Sequence, residues 1–86
     1  MKHKLKGNIE TRRIWLDEKE LLPDESQKIM NHSPNGFMWG YGGSGPAQLA
    51  LAIMLKIKGS ADGYQDFKWN IIAKIPKVDF NIEFEL

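Results

Sequence analysis

A glycine-rich stretch in the middle of the chain holds the groups best suited to bind a ligand. Three aromatic residues alternate along it, Phe37, Trp39 and Tyr41, and Gly42-Gly43-Ser44-Gly45 follows directly. Pro46 then begins an apolar helix, because its fixed φ suits the first turn and its missing N–H would have no partner there. Backbone N–H groups at a helix N-terminus can surround an anion, and the helix dipole favours negative charge there. The stretch therefore predicts an anion site.

The aromatic side chains add a surface on which the planar ring of a ligand could stack. Such stacking is worth about 1–3 kcal/mol per ring in proteins that bind single-stranded nucleic acid. We expect Trp39 or Tyr41 to stack on the ligand, and Ser44 or Gln48 to fix its polar edge. The predicted ligand-binding residues are Trp39, Tyr41, Gly42, Gly43, Ser44, Gly45, Gln48 and His32.

A purely structural interpretation of the same stretch stays open. It contains neither the GxxxxGK[ST] pattern of nucleotide-hydrolysing loops nor a GxGxxG after a parallel strand, and it lacks a lysine that would reach a terminal phosphate. Residues 37–41 would then form a strand whose aromatic face fills the core, and the glycines would form a tight turn. A strained turn would show positive φ at one or more of Gly42, Gly43 and Gly45. Both interpretations can hold together, since a core strand can end in a binding loop.

Two polar groups near this stretch also have a functional and a structural interpretation. His32 titrates near neutrality and Ser33 could act as a nucleophile, but no acid accompanies them at a diagnostic spacing. His-Ser-Pro is also typical of a turn in which the serine hydroxyl bonds local backbone. Gln48 is the one polar residue in the run from Pro46 to Leu55. It either bonds the preceding loop, which we favour, or contacts a ligand.

The other residues offer little for catalysis or metal binding. The chain has no cysteine and two histidines, one of them near the terminus, so thiolate zinc sites are excluded and no metal site is expected. The remaining candidate acids lie in polar turns, where solvent explains them; they are Asp17, Glu18, Asp24 and Glu25. We therefore expect neither enzyme activity nor a cofactor.

Length and composition set the class of protein. A chain of 86 residues is expected to form one domain. At this size a domain buries only about 60–65% of the surface that its unfolded chain exposes, so it must use nearly all its apolar residues. A formal net charge of +1 gives no bias towards extended nucleic acid or a membrane. No apolar run approaches the roughly 20 residues that span a bilayer, and the lack of cysteine favours a cytoplasmic setting.

The first third of the chain predicts short strands and a loop. Lys4 to Glu10 is expected to be an edge strand, and Arg12 to Leu22 a hairpin around a polar turn. Pro23 to Asn31 is expected to be a loop, in which residues 26–30 could make one helical turn. The basic residues of the first strands are expected to form a solvated sheet surface; they are Lys2, Lys4, Lys6, Arg12 and Arg13.

The helix that begins at Pro46 is apolar nearly all round. It should therefore cross the centre of the domain, covered by the sheet on one side and by a second helix on the other. Ser44 or Gly45 is its expected N-cap, and Gly59 is expected to end it. The side chains expected to be largely buried are Leu51, Ile53 and Leu55.

The last third of the chain predicts a second helix and a strand. Apolar residues recur at helical spacing from Tyr64 to Ile75, with Asp62 as the expected N-cap and Pro76 as the stop. Strict alternation from Val78 to Leu86 places every large apolar side chain on one face of a strand. The fold class is therefore α+β, a single two-layer domain over residues 1–86. Its small antiparallel sheet, made of the N-terminal strands and the C-terminal strand, packs on two helices.

The glycine-rich run resembles the signature of a small domain-of-unknown-function family of bacteria, phages and plasmids. The resemblance rests on Trp39 to Ala52, with His32-Ser33-Pro34 and Gly36-Phe37 before it. Phe67-Lys68-Trp69 with Ile75-Pro76 resembles a second block of that family. The likeness covers about half of the chain; the hairpin fits more loosely, and the C-terminal strand is less typical. It implies a mobile-element context and supplies no catalytic residue.

Two classes of function follow from these observations. The first is a small phage or mobile-element accessory protein that binds an anionic small ligand, a nucleotide or nucleotide-derived signal, and so counters host defence. The second is a protein-interaction module that uses the same loop or the exposed sheet to inhibit a host protein. We also expect a homodimer, formed through a remaining sheet edge or an apolar patch.

Overall fold

The computed structural model describes residues 1–86. In chain order the elements are β1 Lys2–Gly7, β2 Ile14–Leu16, β3 Lys19–Leu21, α1 Asp24–Ile29, α2 Ser44–Lys58, α3 Tyr64–Asn70, a 3₁₀ helix Ile72–Lys74 and β4 Phe80–Glu85. The four strands form one sheet in the order β3-β2-β1-β4, and every neighbouring pair is antiparallel. The helices pack on this sheet, so the predicted α+β class is confirmed. None of the helices is long and apolar enough to cross a membrane.

β1 lies inside the sheet rather than at its edge. Its Leu5 stands opposite Leu16 of β2 on one side and opposite Ile82 of β4 on the other. The prediction of an edge strand at Lys4 to Glu10 is therefore wrong, because the C-terminal strand pairs with the free side of β1. That pairing was itself expected from the alternating C-terminal sequence, and it is confirmed.

The predicted hairpin is confirmed, and it closes through a two-residue turn. Asp17 and Glu18 join β2 to β3 with φ of +50° and +71°, which non-glycine residues seldom adopt. The Asp17 carboxylate accepts hydrogen bonds from His3 Nδ1 at 2.7 Å and from the Lys4 backbone N–H at 2.9 Å. The bond from His3, followed by the bond from Lys4, lowers the pKa of Asp17. These contacts fasten the turn to β1.

α2 is the central helix of the domain. All residues from Gly45 to Met54 are buried, and Leu51 and Ile53 are 0% exposed, while Leu55 is half-buried. The apolar side chains of α2 belong to one core cluster with those of the sheet, α3 and the 3₁₀ helix. The prediction that a helix apolar on every side lies at the centre is therefore confirmed.

The ends of α2 differ in how well they were predicted. The N-cap is Gly43, which makes no side-chain capping bond, so the expected Ser44 or Gly45 cap is wrong. The chain reaches this point with extended backbone at Gly43, and this allows the helix to begin before Pro46. At the other end Gly59 adopts φ +69° and its N–H bonds the Leu55 carbonyl, as expected of a glycine C-cap.

Two segments before α2 also differ from expectation. Residues 24–29 form α1, so the loop expected from Pro23 to Asn31 is wrong there, whereas the helical turn considered for residues 26–30 is present in part. Residues 37–41, predicted as a strand under the structural interpretation, pair with no other strand. Loop contacts hold them instead, since the Gly40 N–H bonds the Ile72 carbonyl at 3.1 Å and Trp39 Nε1 bonds the Val78 carbonyl at 3.1 Å. The expectation that the aromatic side chains fill the core is correct for Phe37 and Trp39, which are buried, and wrong for Tyr41, which is 41% exposed.

α3 is shorter than predicted. It begins after Gly63, at φ +79°, so Asp62 is not its cap. It ends where Ile71 departs from helical backbone, with φ −119° and ψ −62°, and a 3₁₀ turn follows. The helical spacing of apolar residues continues through this break, and for that reason the pattern alone predicts one long helix.

β4 keeps the predicted alternation but starts later. Val78 is 54% exposed, because the Val78 N–H closes a turn onto the Pro76 carbonyl at 2.8 Å. From Phe80 onwards the apolar face points into the core. Phe80 meets Trp39 edge-on at 4.9 Å between ring centroids, and Phe84 meets Phe67 edge-on at 5.2 Å. β4 thus connects the sheet to both the glycine-rich stretch and α3.

Truncation inside α2 tests its central position. Ile53→Ala should lower the free energy of unfolding by about 2–5 kcal/mol, because a completely buried side chain leaves a cavity. Leu55→Ala is the matched control, and should cost less because Leu55 is only half-buried. Urea unfolding measures both variants. Equal small losses would mean that α2 does not lie at the centre of the core.

The Asp17 contacts predict a pH dependence of stability. The pKa of Asp17 is lower in the fold than in the unfolded chain, so its ionised form stabilises the fold. This stabilisation is complete above the unfolded pKa of about 3.9 and is lost as the pH falls through the folded value. Asp17→Asn should be less stable than the wild type near neutral pH, and the difference should narrow below about pH 4. A difference that stays constant in thermal melts across this range would exclude ionisation of Asp17 as its source.

Candidate functional site

Groups from three parts of the chain meet at the N-terminus of α2. Lys68 on α3 places its Nζ 3.3 Å from the Gly42 carbonyl oxygen and 4.4 Å from the centroid of the Trp69 ring. Lys77, after the 3₁₀ helix, places its Nζ 4.7 Å from the Tyr41 ring centroid. We call this surface the α2 N-terminal site; it comprises Tyr41, Gly42, Gly43, Ser44, Gly45, Lys68, Trp69 and Lys77.

The backbone of the site presents unused hydrogen-bond donors. The N–H groups of residues 42–45 donate to no acceptor in the protein, and Pro46 has no N–H to donate. The Ala47 N–H is the first to be bonded, to the Gly43 carbonyl at 3.1 Å. No acidic residue lies in the first turn of α2. The positive end of the helix dipole is therefore not neutralised by the protein itself.

The glycines of the site serve close packing rather than unusual backbone angles. None of Gly42, Gly43 and Gly45 has positive φ, so the prediction of a strained turn is wrong. A Cβ at Gly42 would clash with the Trp69 ring and one at Gly43 with the Tyr41 ring. A Cβ at Gly45 would lie 2.5 Å from the Met38 Cβ. The absence of side chains at these positions lets two aromatic rings lie directly on the loop.

The positive φ in this region occurs at Gly40. Its φ is +87°, and a Cβ there would lie 2.8 Å from the Ile75 carbonyl oxygen and 2.5 Å from the Lys77 Cγ. The chain therefore turns at Gly40, against the segment that carries Lys77. This close approach brings the Lys77 side chain alongside the loop, with its ammonium over Tyr41.

Lys68 supplies a buried positive charge. The residue is 7% exposed, and its one hydrogen bond goes to the neutral Gly42 carbonyl. The salt bridges of the structure involve other groups, and neither Lys68 nor Lys77 forms one. A buried ammonium without a carboxylate is costly, and the Trp69 ring offsets part of that cost. The site thus holds positive charge that no acid of the protein compensates.

Two of the predicted ligand-binding residues lie away from this surface. Trp39 is 0% exposed, so its ring belongs to the core and is not free to stack on a ligand. His32 is half-buried, and its Nε2 lies 2.8 Å from the hydroxyl of Tyr64 on α3. The ring of His32 is thus paired with Tyr64, and no bond joins it to the Ser33 hydroxyl.

Gln48 is also buried, at 0% exposure, and its amide is fully engaged. Its Oε1 accepts from the Ser33 N–H at 2.9 Å, and its Nε2 donates to Ser26 Oγ at 2.8 Å and to the Met30 carbonyl at 3.2 Å. The favoured interpretation, in which Gln48 bonds the preceding loop, is confirmed. Gln48 holds residues 26–33 against α2 and leaves no group for a ligand.

Sequence reasoning missed three members of the site, Lys68, Trp69 and Lys77. Lys68 lies 26 residues from the carbonyl that it contacts, so no local spacing predicts their meeting. One signal was present, because Trp69 stands outside the apolar row of its own helix and is 55% exposed. A large exposed aromatic residue next to a buried lysine indicates that this surface of α3 has a role in addition to packing in the core.

Alanine substitutions distinguish the close contact of Gly45 with the Cβ and backbone of Met38 from the close contact of Gly42 with a movable side chain. Gly45→Ala should destabilise the fold by about 1–3 kcal/mol, because the new methyl meets the Met38 Cβ and backbone, which cannot move aside. Gly42→Ala should cost less, since it meets the far end of the Trp69 side chain, which can rotate away. Unfolding curves and the NMR signal of the Trp69 indole N–H measure the two effects. A shifted indole signal in Gly45→Ala but not in Gly42→Ala would contradict the assignment.

The chain belongs to the family of unknown function DUF6166, whose family model matches residues 4–85. No curated protein and no solved structure matches it. The matched range includes the whole sheet apart from its outermost residues and every residue of the α2 N-terminal site.

Proposed function

We propose that this DUF6166 protein binds a small anionic ligand with a planar ring, a nucleotide or nucleotide-derived signal, at the α2 N-terminal site. The observation that carries the proposal is the run of four unbonded N–H groups, residues 42–45, beside the uncompensated ammonium of Lys68. An anion would accept hydrogen bonds from this backbone and from Lys68 together. Hydrogen bonds to a charged group are about twice as strong as neutral ones.

Burial of Lys68 favours such a ligand. In the free protein its ammonium has lost most of its water and has gained only one carbonyl and one aromatic ring. A phosphate that approaches Gly42 would supply the missing negative charge at a point where solvent screens it weakly. The ammonium of Lys77 lies over the Tyr41 ring and supplies a second positive charge.

Two exposed rings support the planar part of the ligand. Tyr41 is 41% exposed and Trp69 is 55% exposed, and each already rests on a glycine of the loop. They take the stacking role that the sequence suggested for Trp39 or Tyr41. Ser44 is exposed at the first position of α2, where its hydroxyl can bond the polar edge of the ligand. The loop and the segments next to it are held in place by contacts that lie behind this surface; they are made by Trp39, Gln48 and His32.

The charge pattern favours a compact ligand over extended nucleic acid. On the outer face of the sheet Lys2 stands opposite Glu85 and Lys4 opposite Glu83, so bases and acids alternate. A polyanion that follows this face would meet carboxylates as often as ammonium groups. Extended DNA or RNA should therefore bind weakly, while one or two phosphates fit the α2 N-terminal site.

The resemblance to a family of phages, plasmids and their bacterial hosts suggests what such binding would achieve. A small protein that sequesters a nucleotide-derived signal would counter a host defence that depends on that signal. Sequestration needs no catalytic group, and in this role the tyrosine hydroxyl, the serine and the two lysines of the α2 N-terminal site would contact the ligand without reacting with it. The proposed role is therefore that of a binding protein in the cytoplasm of the host.

A protein-interaction module is the second candidate, and one observation favours it. Tyr41, Trp69 and Val78 are large apolar side chains that are 41%, 55% and 54% exposed, around or next to the α2 N-terminal site. Exposed apolar groups of this kind also mark protein-binding surfaces. On this alternative the same surface would contact a host protein directly.

Ligand-induced stabilisation tests the first proposal. A ligand at ten times its Kd should stabilise the fold by about 1.4 kcal/mol, which raises the Tm of a domain of this size by several degrees. A thermal-shift panel of nucleotides, cyclic dinucleotides and sugar phosphates measures the effect, beside single-stranded DNA at several salt concentrations. Lys68→Met, which keeps the buried stem, should abolish the shift, whereas Lys28→Met on the exposed face of α1 should not.

The proposal fails if no small anion raises the Tm, or if Lys68→Met keeps the full shift while remaining folded. Capture of a host protein that is lost in a Trp69→Ala variant would then support the second candidate. Equal shifts by single-stranded DNA and by mononucleotides would contradict the preference for a compact ligand.

A further inference from the structure

The strand β4 forms an open edge of the sheet. It pairs with β1 along all six of its residues, from Glu85 opposite Lys2 to Phe80 opposite Gly7, and no strand lies on its other side. The opposite edge, β3, is only three residues long. β4 is therefore the one long edge that the sheet presents.

The hydrogen-bond pattern shows which residues of β4 face outwards. Met1 and Leu86 exchange both backbone bonds, at 3.1 and 3.0 Å, so they form a bonded pair at the end of the ladder. In an antiparallel ladder bonded pairs recur at every second residue. Phe84, Ile82 and Phe80 therefore bond β1, and the N–H and C=O groups of Asn81, Glu83 and Glu85 point away from the sheet.

These outward groups are unpaired, and the charges of Glu83 and Glu85 are the only common protection of an edge that the strand has. No bond outside the β1–β4 ladder involves the backbone of residues 80–85. The strand has no proline, no glycine and no bulge, and its inward side chains are Phe80, Ile82 and Phe84, none of them charged. Natural proteins protect long edges with such features because an open edge pairs readily with another strand.

The charges along β4 select what can pair with it. The outer face of β4 carries Glu83 and Glu85, which stand opposite Lys4 and Lys2 of β1. The Glu85 carboxylate also lies 3.2 Å from the N-terminal ammonium of Met1, and no basic residue stands on the open side of the strand. Opposite charges directly across a sheet stabilise pairing, and like charges oppose it. A strand on the open side is therefore favoured when basic residues stand opposite Glu83 and Glu85.

Pairing with the β4 strand of a second copy does not meet this requirement. When two β4 strands pair antiparallel through their centres, Glu83 of one copy stands opposite Asn81, Glu83 or Glu85 of the other. In the register with Asn81, Glu85 stands opposite Asp79. Such registers bring carboxylates together without a base between them.

The inner face of an added strand would lie beside Ile82, which is half-buried, and Phe84, which is buried. Apolar residues therefore suit that face of the added strand.

We propose that β4 binds an extended segment of another protein by strand addition, and that this segment alternates basic and apolar residues. The backbone of Asn81, Glu83 and Glu85 supplies the hydrogen bonds, and the two carboxylates supply the preference for a basic strand. This surface uses none of the residues of the α2 N-terminal site. It is therefore an interaction surface independent of the proposed ligand site.

Amide hydrogen exchange in the presence of short peptides tests the proposal. A peptide of alternating lysine and valine should slow exchange at the Asn81, Glu83 and Glu85 N–H groups. The N–H groups of Phe80, Ile82 and Phe84 are already bonded and should change little. A peptide of alternating glutamate and valine should protect none of them at the same concentration.

Charge removal provides the matched comparison. Glu83→Gln with Glu85→Gln should weaken binding of the lysine–valine peptide about tenfold. Glu10→Gln with Glu25→Gln, which removes the same charge from exposed positions outside the sheet, should leave binding unchanged. Thermal melts confirm that both double variants remain folded.

Three results would overturn the proposal. The first is no protection of the outward N–H groups by the basic peptide. The second is equal binding of the basic and acidic peptides. The third is protection of the same N–H groups in the protein alone at high concentration, together with a dimer mass by light scattering, which would assign the edge to a second copy.

Discussion

The burial of α2 on every side is the constraint on which the rest of the structure depends. A helix whose residues from Gly45 to Met54 are all buried has no face that water can cover, and a chain of 86 residues has little material with which to cover it. The sheet covers one side and α3 another, while the side chain of Gln48 bonds α1 and the residues that follow it. Gln48 is the one polar side chain in this buried surface, and its three hydrogen bonds fasten residues 26–33 against the helix. A buried amide without hydrogen-bond partners would destabilise the fold. Gln48 therefore needs residues 26–33 as partners, and these residues need Gln48 to hold them against the helix.

The same constraint produces the α2 N-terminal site. Because α2 is buried up to its first turn, the chain that enters it must pass between α3 and the segment after the 3₁₀ helix. Glycines at positions 42, 43 and 45 allow that passage, and the space that they leave is occupied by the rings of Trp69 and Tyr41 and by Met38. The N–H groups of residues 42–45 are unbonded at the same place, because the first N–H groups of a helix have no intrahelical acceptor. The close packing and the proposed anion site thus arise from the same arrangement of the chain.

The parts of this fold that sequence reasoning predicted are those set by local periodicity. The apolar run after Pro46, the hairpin around Asp17 and the alternation in β4 each repeat a pattern over several residues, and each formed as expected. The errors arose where distant contacts decide. β1 became an inner strand only because residues 80–85 pair with it, and residues 37–41 fill the core without joining a ladder because the loops around Ile72 and Val78 bond them. The strained backbone predicted at Gly42, Gly43 and Gly45 is absent, and the ring that excludes a side chain at Gly42 comes from α3. Lys68 could not be assigned from spacing for the same reason.

The charges of the chain illustrate why a net value says little about binding. A formal net charge of +1 suggests no preference, yet two surfaces of the protein each carry charge of mainly one sign. The α2 N-terminal site contains two lysines, and no acidic residue lies in the first turn of α2. The β4 strand carries Glu83 and Glu85, and no basic residue stands on its open side. Screening shortens the range of surface charges to about 8–10 Å in ordinary salt, so each surface acts largely by itself. Solvent screens the charge of Lys68 least, because this residue is buried. A buried charge interacts more strongly with a charged ligand than an exposed one does. The local arrangement of charges and unpaired backbone groups, rather than their sum, therefore decides what each surface can bind.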